Sequence, residues 1–293
     1  MAVVSQPDRP RGRGRRLQPS PVAARARELG IPLLRPERVG DPQVMNNLRS
    51  CAPDVGVVVA FGQFLPRRIR ELPTLGFLIN AHASLLPRHR GAAPIAHALL
   101  AGDRVTGVSV MRVDREMDAG PVLLTRSLDI GPDETAGELG ERIAALSADA
   151  TAEALERIAD GRAEWTEQDD SQATPAPKIE AADTWIDWSE PAEDIARRVR
   201  ALAPAPGART EYAGQTLRIL AARAEEEENG CAPGTVRCDG KQALRVATGA
   251  GWLVLRRLQR AGGKPLDVAD YLRGRPIPDA ARLGRADAAE SRC

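Results

Sequence analysis

Asn80 and His82 stand two positions apart, at a point where the apolar run Gly76-Phe77-Leu78-Ile79 gives way abruptly to polar residues. If that run is a strand continuing through them, both side chains emerge on the same face. An amide can hydrogen-bond a developing oxyanion and an imidazole can move an amine proton, two services that acyl transfer requires. Asp118, in the loop Asp114-Arg115-Glu116-Met117-Asp118-Ala119-Gly120, is a third candidate. A carboxylate beside His82 would fix its tautomer and favour its protonated form. Each group has an ordinary alternative. A histidine near an apolar strand is commonly a hydrogen-bonded structural group, Asp-Ala-Gly is a common turn, and Asp114 competes for the carboxylate's part.

Such groups need a sheet to carry them, and in an open parallel sheet ligands bind beyond the carboxyl ends of the strands. The β-branched run Val55 to Ala60 reads as a central strand buried on both faces. Ala2-Val3-Val4 reads as the tail of another, and Ile31 to Leu34 as an edge strand because of Pro32. Helical patterns run from Ser20 to Gly30, after Asp41 to Cys51, from Pro94 to Gly102 and from Thr135 to Gly161; strands are expected at Thr106–Val113 and Val122–Leu124. Gln168 to Pro177 has the composition of a linker. After a helix at Glu193–Ala203, short alternating runs from Thr210 onward read as a small β-barrel, with Cys238-Asp239-Gly240 as a hairpin signal.

The chain has 293 residues, 43% hydrophobic and 28% charged, with no apolar stretch long enough to span a bilayer. A net charge of +1 argues for no nucleic-acid partner by itself, but Arg9, Arg11, Arg13, Arg15 and Arg16 fall within eight residues rich in Pro and Gly. A loop presenting them could neutralise phosphates, and a solvated arginine-rich end is the competing reading. Cys51, Cys231, Cys238 and Cys293 lack metal-ligand spacing, so reduced thiols and no metal are expected. The opening holds Asp8 and prolines and has no amphipathic stripe, which favours a cytoplasmic protein over an organellar leader.

Asn80-x-His82, Ser84-Leu85-Leu86-Pro87-x-x-Arg90-Gly91 and Asp118-x-Gly120 together resemble the folate-dependent formyltransferases, most closely the branch whose acceptor is initiator methionyl-tRNA. The resemblance spans almost the whole chain. It implies 10-formyltetrahydrofolate as formyl donor, Asn80, His82 and Asp118 as the catalytic set, and Ser84, Leu85, Leu86 and Pro87 on the folate side. Phe61 to Pro66 resembles a second folate-side loop. Pro7-Asp8-Arg9-Pro10-x-Gly12-Arg13-Gly14 resembles a loop that meets the tRNA acceptor stem, with Arg13 central. The implied fold is α/β, a Rossmann-like mostly parallel sheet followed by a small OB-like β-barrel. Residues 1–172 form the catalytic domain, 173–203 a linker and helix, 204–288 the barrel and 289–293 a tail. Arg245, Arg256, Arg257 and Lys264 are candidate phosphate contacts on the barrel.

Three departures are visible: Ala119-Gly120-Pro121 after the carboxylate, Ala203 and Ala205 where the family carries Asn and Trp, and a start that lacks the family's first strand, Gly-Thr-Pro loop and helix. The last implies exposed apolar surface, an open sheet edge and impaired folding or activity. A monomer is expected. The rivals are a formyltransferase for a small-molecule amine, a nucleotide sugar or glycinamide ribonucleotide, and a tRNA-binding chain with little turnover.

Overall fold

The computed structural model describes residues 1–11, 14, 16–239 and 243–285; Arg13, Arg15 and the 289–293 tail therefore lie outside the described residues. The chain divides into two compact units, one comprising Met1–Arg88, Val108–Arg126 and Ser147–Ala173, the other His89–Gly107, Ser127–Leu146 and everything from Thr174 onward.

In the first unit, β1 (Val3–Val4) pairs in parallel with β4 (Leu33–Leu34) and with no other strand among the described residues. A separate sheet has the order β5 (Gly56–Val58), β6 (Leu78–His82), β7 (Val105–Arg112), β8 (Val122–Asp129). β5 and β6 are parallel, whereas β6 and β7 are antiparallel. The expectation of a mostly parallel sheet is thus corrected to a mixed one. Helix α4 (Pro94–Leu100) intervenes between β6 and β7 in the sequence. β7 enters beside His82 and leaves beside Ile79.

The reading of Val55 to Ala60 as a central strand is also corrected. Among the described residues β5 pairs with β6 alone, and Val57 and Val59 are 44% and 55% exposed. An apolar run says that a strand forms, not how many neighbours it finds. Val4 of β1 and Val58 of β5 nonetheless pack against one apolar cluster around Val39, Met45, Ile69 and Leu78. A Cβ at Gly56 would lie 2.3 Å from a Leu78 methyl, so a side chain there would require Leu78 to shift.

The arginine-rich stretch is not a loop throughout. β2 (Arg9–Arg11) and β3 (Arg16–Gln18) form an antiparallel ribbon with Pro10 opposite Leu17. A two-stranded ribbon leaves one side of each strand unpaired, so the missing Pro10 N–H costs no ladder bond if it faces outward. Ser20 caps the following helix, α1 (Pro21–Glu28), accepting from the Ala23 N–H at 3.0 Å. Asp41 precedes α2 (Pro42–Ser50) without a side-chain cap bond. Thr135 and Glu138 close a reciprocal capping box on α5 (Ala136–Ala159).

The second unit is organised on an antiparallel sheet in the order β11 (Val236–Asp239), β12 (Ala243–Ala247), β13 (Trp252–Arg260), β10 (Gln215–Glu225), β9 (Ala208–Tyr212), with β14 (Leu266–Asp267) also on β13. Helix α6 (Ala192–Leu202) presents Ile195, Val199 and Leu202 at helical spacing to a core that includes Leu217, Ile219, Leu244, Leu253, Leu255 and Leu258. Trp188 lies in this core and donates to Thr210 Oγ1 at 3.0 Å. Among the described residues the ladder is an open path from β11 to β9 rather than a closed barrel.

Candidate active site

β6 extends through both candidate residues and is hydrogen-bonded on each side. Asn80 lies between Val58 of β5 and Met111 of β7, while His82 faces Ser109. The two side chains share a face. His82 is 5% exposed, and its Nδ1 lies 3.5 Å from Asp118 Oδ2. Asn80 is half-buried, and its amide has no protein partner among the described residues, which leaves it available to an incoming oxygen. Asp114, the competing carboxylate, is 65% exposed and faces Arg70 at 3.4 Å instead.

The Asp118 loop is held tightly. Asp118 has φ +53, a left-handed conformation that aspartate tolerates better than most residues. Gly120 has no alternative, since a Cβ there would stand 2.2 Å from the Arg112 carbonyl oxygen. The Arg112 N–H donates to Pro121 O at 2.9 Å, and the Arg112 guanidinium lies 4.4 and 4.2 Å from the ring centroids of Phe77 and Trp165, which themselves meet edge to face.

A second set of bonds shapes the loop after β6. The buried Ser109 Oγ donates to Ser84 O at 2.8 Å and accepts from the Leu86 N–H at 3.0 Å. Ser84 is fully buried and its Oγ donates to Arg88 O at 2.6 Å. Ser84 therefore braces the loop from inside, while Leu85, Leu86 and Pro87 keep accessible surface. His89, in the same motif, is a structural histidine, with Nε2 2.7 Å from Asp103 Oδ2 and its N–H donating to Thr174 Oγ1.

Sequence reasoning overlooked Ser109 and Gln168. Ser109 was legible as a hydroxyl set between Val108 and Val110 in β7. Gln168 lay in the stretch read as a linker, yet its amide donates to Asp118 O at 2.8 Å and to Gly120 O at 2.7 Å. That stretch is also engaged further along, where Arg90 N donates to Thr174 O and Ala176 N to Arg90 O.

Of the arginine set, Arg16 is exposed and Arg9 is exposed with Glu37 3.8 Å away, while Arg11 is described only as backbone of β2. On the second unit, Arg245 pairs with Glu225 and Glu227, and Arg257 with Asp267. Arg256 and Lys264 are exposed and have no ion pair among the described residues. A cleft of about 170 Å³ in this unit is lined by Tyr212, Arg260, Tyr271 and Arg275, and burial pushes the Tyr271 hydroxyl up from its ordinary pKa. No cluster of three or more His, Cys, Asp or Glu suited to a metal occurs among the described residues, and no described helix is long and apolar enough to cross a membrane.

Comparison with known proteins bears on this arrangement. Residues 1–155 match the family model described as formyl transferase, and residues 178–276 match the formyl transferase C-terminal domain. The chain is 47% identical to the methionyl-tRNA formyltransferase of Halorhodospira halophila, over 94% of this chain and 89% of that protein. It is 43% identical to that of Roseiflexus castenholzii, over 97% and 90%. Among solved structures, HypX from Aquifex aeolicus in complex with tetrahydrofolic acid superposes with TM-score 0.62 at 20% identity, over 85% of this chain and 43% of that longer one. The N-formyltransferase from Helicobacter canadensis, in complex with folinic acid and dTDP-3-aminofucose, gives TM-score 0.61 at 15% identity over 83% of each chain.

Proposed function

The chain belongs to the formyl transferase family, and from that premise we propose that it carries a formyl group from 10-formyltetrahydrofolate to the α-amino group of methionine on initiator tRNA, in translation initiation. The observation that carries the reading is the pairing of His82 with Asp118 beside the amide of Asn80, which has no partner among the described residues, on the same strand face. An α-amino group has a reference pKa of about 7.7–8.0, so its neutral, attacking form is accessible near neutrality. The difficulty lies in the tetrahedral intermediate. The amine nitrogen forms a bond to the formyl carbon, and the carbonyl electrons move onto oxygen, which Asn80 stabilises as hydrogen-bond donor. His82 takes the amine proton and returns one to the departing folate nitrogen as its bond to carbon breaks. Asp118 orients His82 through that exchange.

In this reading Leu85, Leu86 and Pro87 line the folate side, with Ser84 shaping the loop, and Arg9, Arg11, Arg13, Arg15 and Arg16 meet the tRNA backbone. Residues 1–172 act as the catalytic domain and 173–203 as the connection to an OB-like unit over 204–288. The protein works as a cytoplasmic monomer. The test is formyl transfer to initiator methionyl-tRNA: His82→Ala should lower kcat at least about a hundredfold without changing the thermal midpoint, and full activity in that variant would end the assignment. A small-molecule amine as acceptor is the second reading, motivated by the aminosugar in the Helicobacter complex. Deleting residues 9–16 separates the two, because transfer to tRNA should collapse while transfer to a small amine should persist.

A further inference from the structure

We propose that Gln168 is a positioning residue for the proton-transfer pair, holding Asp118 in the conformation that presents its carboxylate to His82. The inference rests on the functional reading above and adds a residue to it. Its basis is register. Val122 and Thr166 form an antiparallel bridge, with N–H to O distances of 2.8 and 2.9 Å in the two directions. Two positions out along each strand, Gly120 and Gln168 come opposite one another. From there the Gln168 amide spans the turn and donates to the carbonyls on both sides of Ala119, at Asp118 O and Gly120 O.

The turn needs such a clamp. Asp118 occupies the left-handed region at φ +53, and Ala119 offers only a weak turn contact, its N–H lying 3.5 Å from Glu116 O. A left-handed non-glycine residue persists only where its surroundings over-determine it. Gly120 is also fixed by its close approach to Arg112, while Gln168 donates once to Asp118 O and once to Gly120 O and so closes the turn. If the amide is removed, the peptide can relax toward ordinary dihedrals, carrying the carboxylate away from His82 Nδ1, now 3.5 Å distant. The effect on catalysis then runs entirely through Asp118 and His82.

The experiment compares the parent chain with Gln168→Met, which keeps length and volume but has no donor, and Gln168→Glu, which sets an acceptor against two carbonyls. Expected for both is a fall in kcat of about tenfold or more, since small misplacements of catalytic groups are costly, with KM for folate and for tRNA changed less than about twofold in this uniform-binding sense. The imidazole signals of His82 are recorded by NMR at one fixed pH in parallel, a readout that needs no turnover. Because Asp118 Oδ2 lies 3.5 Å from His82 Nδ1, displacing the carboxylate should move the His82 ring chemical shifts in Gln168→Met. Unmoved ring signals in a folded variant overturn the proposal, whether or not the parent transfers formyl groups. An inactive parent with moved ring signals would instead count against the proposed reaction and leave the positioning role standing.

Discussion

Two pairs of strands in the first unit, β6–β7 and β1–β4, are held in place very differently. β6 has a hydrogen-bonded neighbour on either side, and the loops leaving it are tied again through Ser109 and Ser84, while Gln168 ties the Asp118 loop after β7. Among the described residues β1 and β4 have only each other and β5 has one neighbour, and Val57 and Val59 meet solvent. Both regions are written in the same apolar, β-branched vocabulary. The difference is that the candidate catalytic residues sit where each backbone segment is restrained from more than one direction, which is what fixing a proton-transfer geometry demands. The open edges carry none of them, and such edges are places where chains associate.

The contrast can be broken most directly at Ser109. Ser109→Ala strands the buried Ser84 carbonyl and the partly buried Leu86 N–H, which should cost about 1–3 kcal/mol as a lowered denaturation midpoint and raise KM for folate as Leu85 to Pro87 loosen. A variant as stable as its parent would mean that β6–β7 is no better braced than the edges. The capping box of α5 should give an intermediate result, Thr135→Ala costing about 1 kcal/mol. Hydrogen bonds from Thr135, side chain first and then backbone, hold the Glu138 carboxyl below its ordinary pKa. Because the folded value is the lower one, this contribution is complete above the ordinary carboxylate range and fades as pH falls through the depressed value. Stability measured against pH should accordingly lose part of its acid-side slope in Glu138→Gln. Smallest is the edge itself: Val57→Thr with Val59→Thr should shift stability by no more than about 0.5 kcal/mol while reducing light scattering on concentration. A loss as large as that of Ser109→Ala would show these valines to be core residues.

Much of this was readable along the chain. Asn80 and His82 declared themselves by alternation at a strand end, and the helices now at Pro21–Glu28 and Ala192–Leu202 by the patterns beginning at Ser20 and Glu193. Gln168 was not readable, because its role depends on the pairing of Val122 with Thr166, segments that nothing local brings together. Pro10 misled in the other direction, since a proline rules out a central strand position but not a place in a two-stranded ribbon.

Residue types and short-range periods, by themselves, determined which segments become strands and helices and which side chains could do acyl-transfer chemistry, because those properties depend on neighbours a few positions away. Only the tertiary structure decided that β5 stands at an edge among the described residues, that β7 runs back along β6, and that a glutamine from the supposed linker clasps the carboxylate's turn. Strand register and neighbour choice are settled by backbone hydrogen bonds between distant parts of the chain, and those bonds look alike for nearly every residue type.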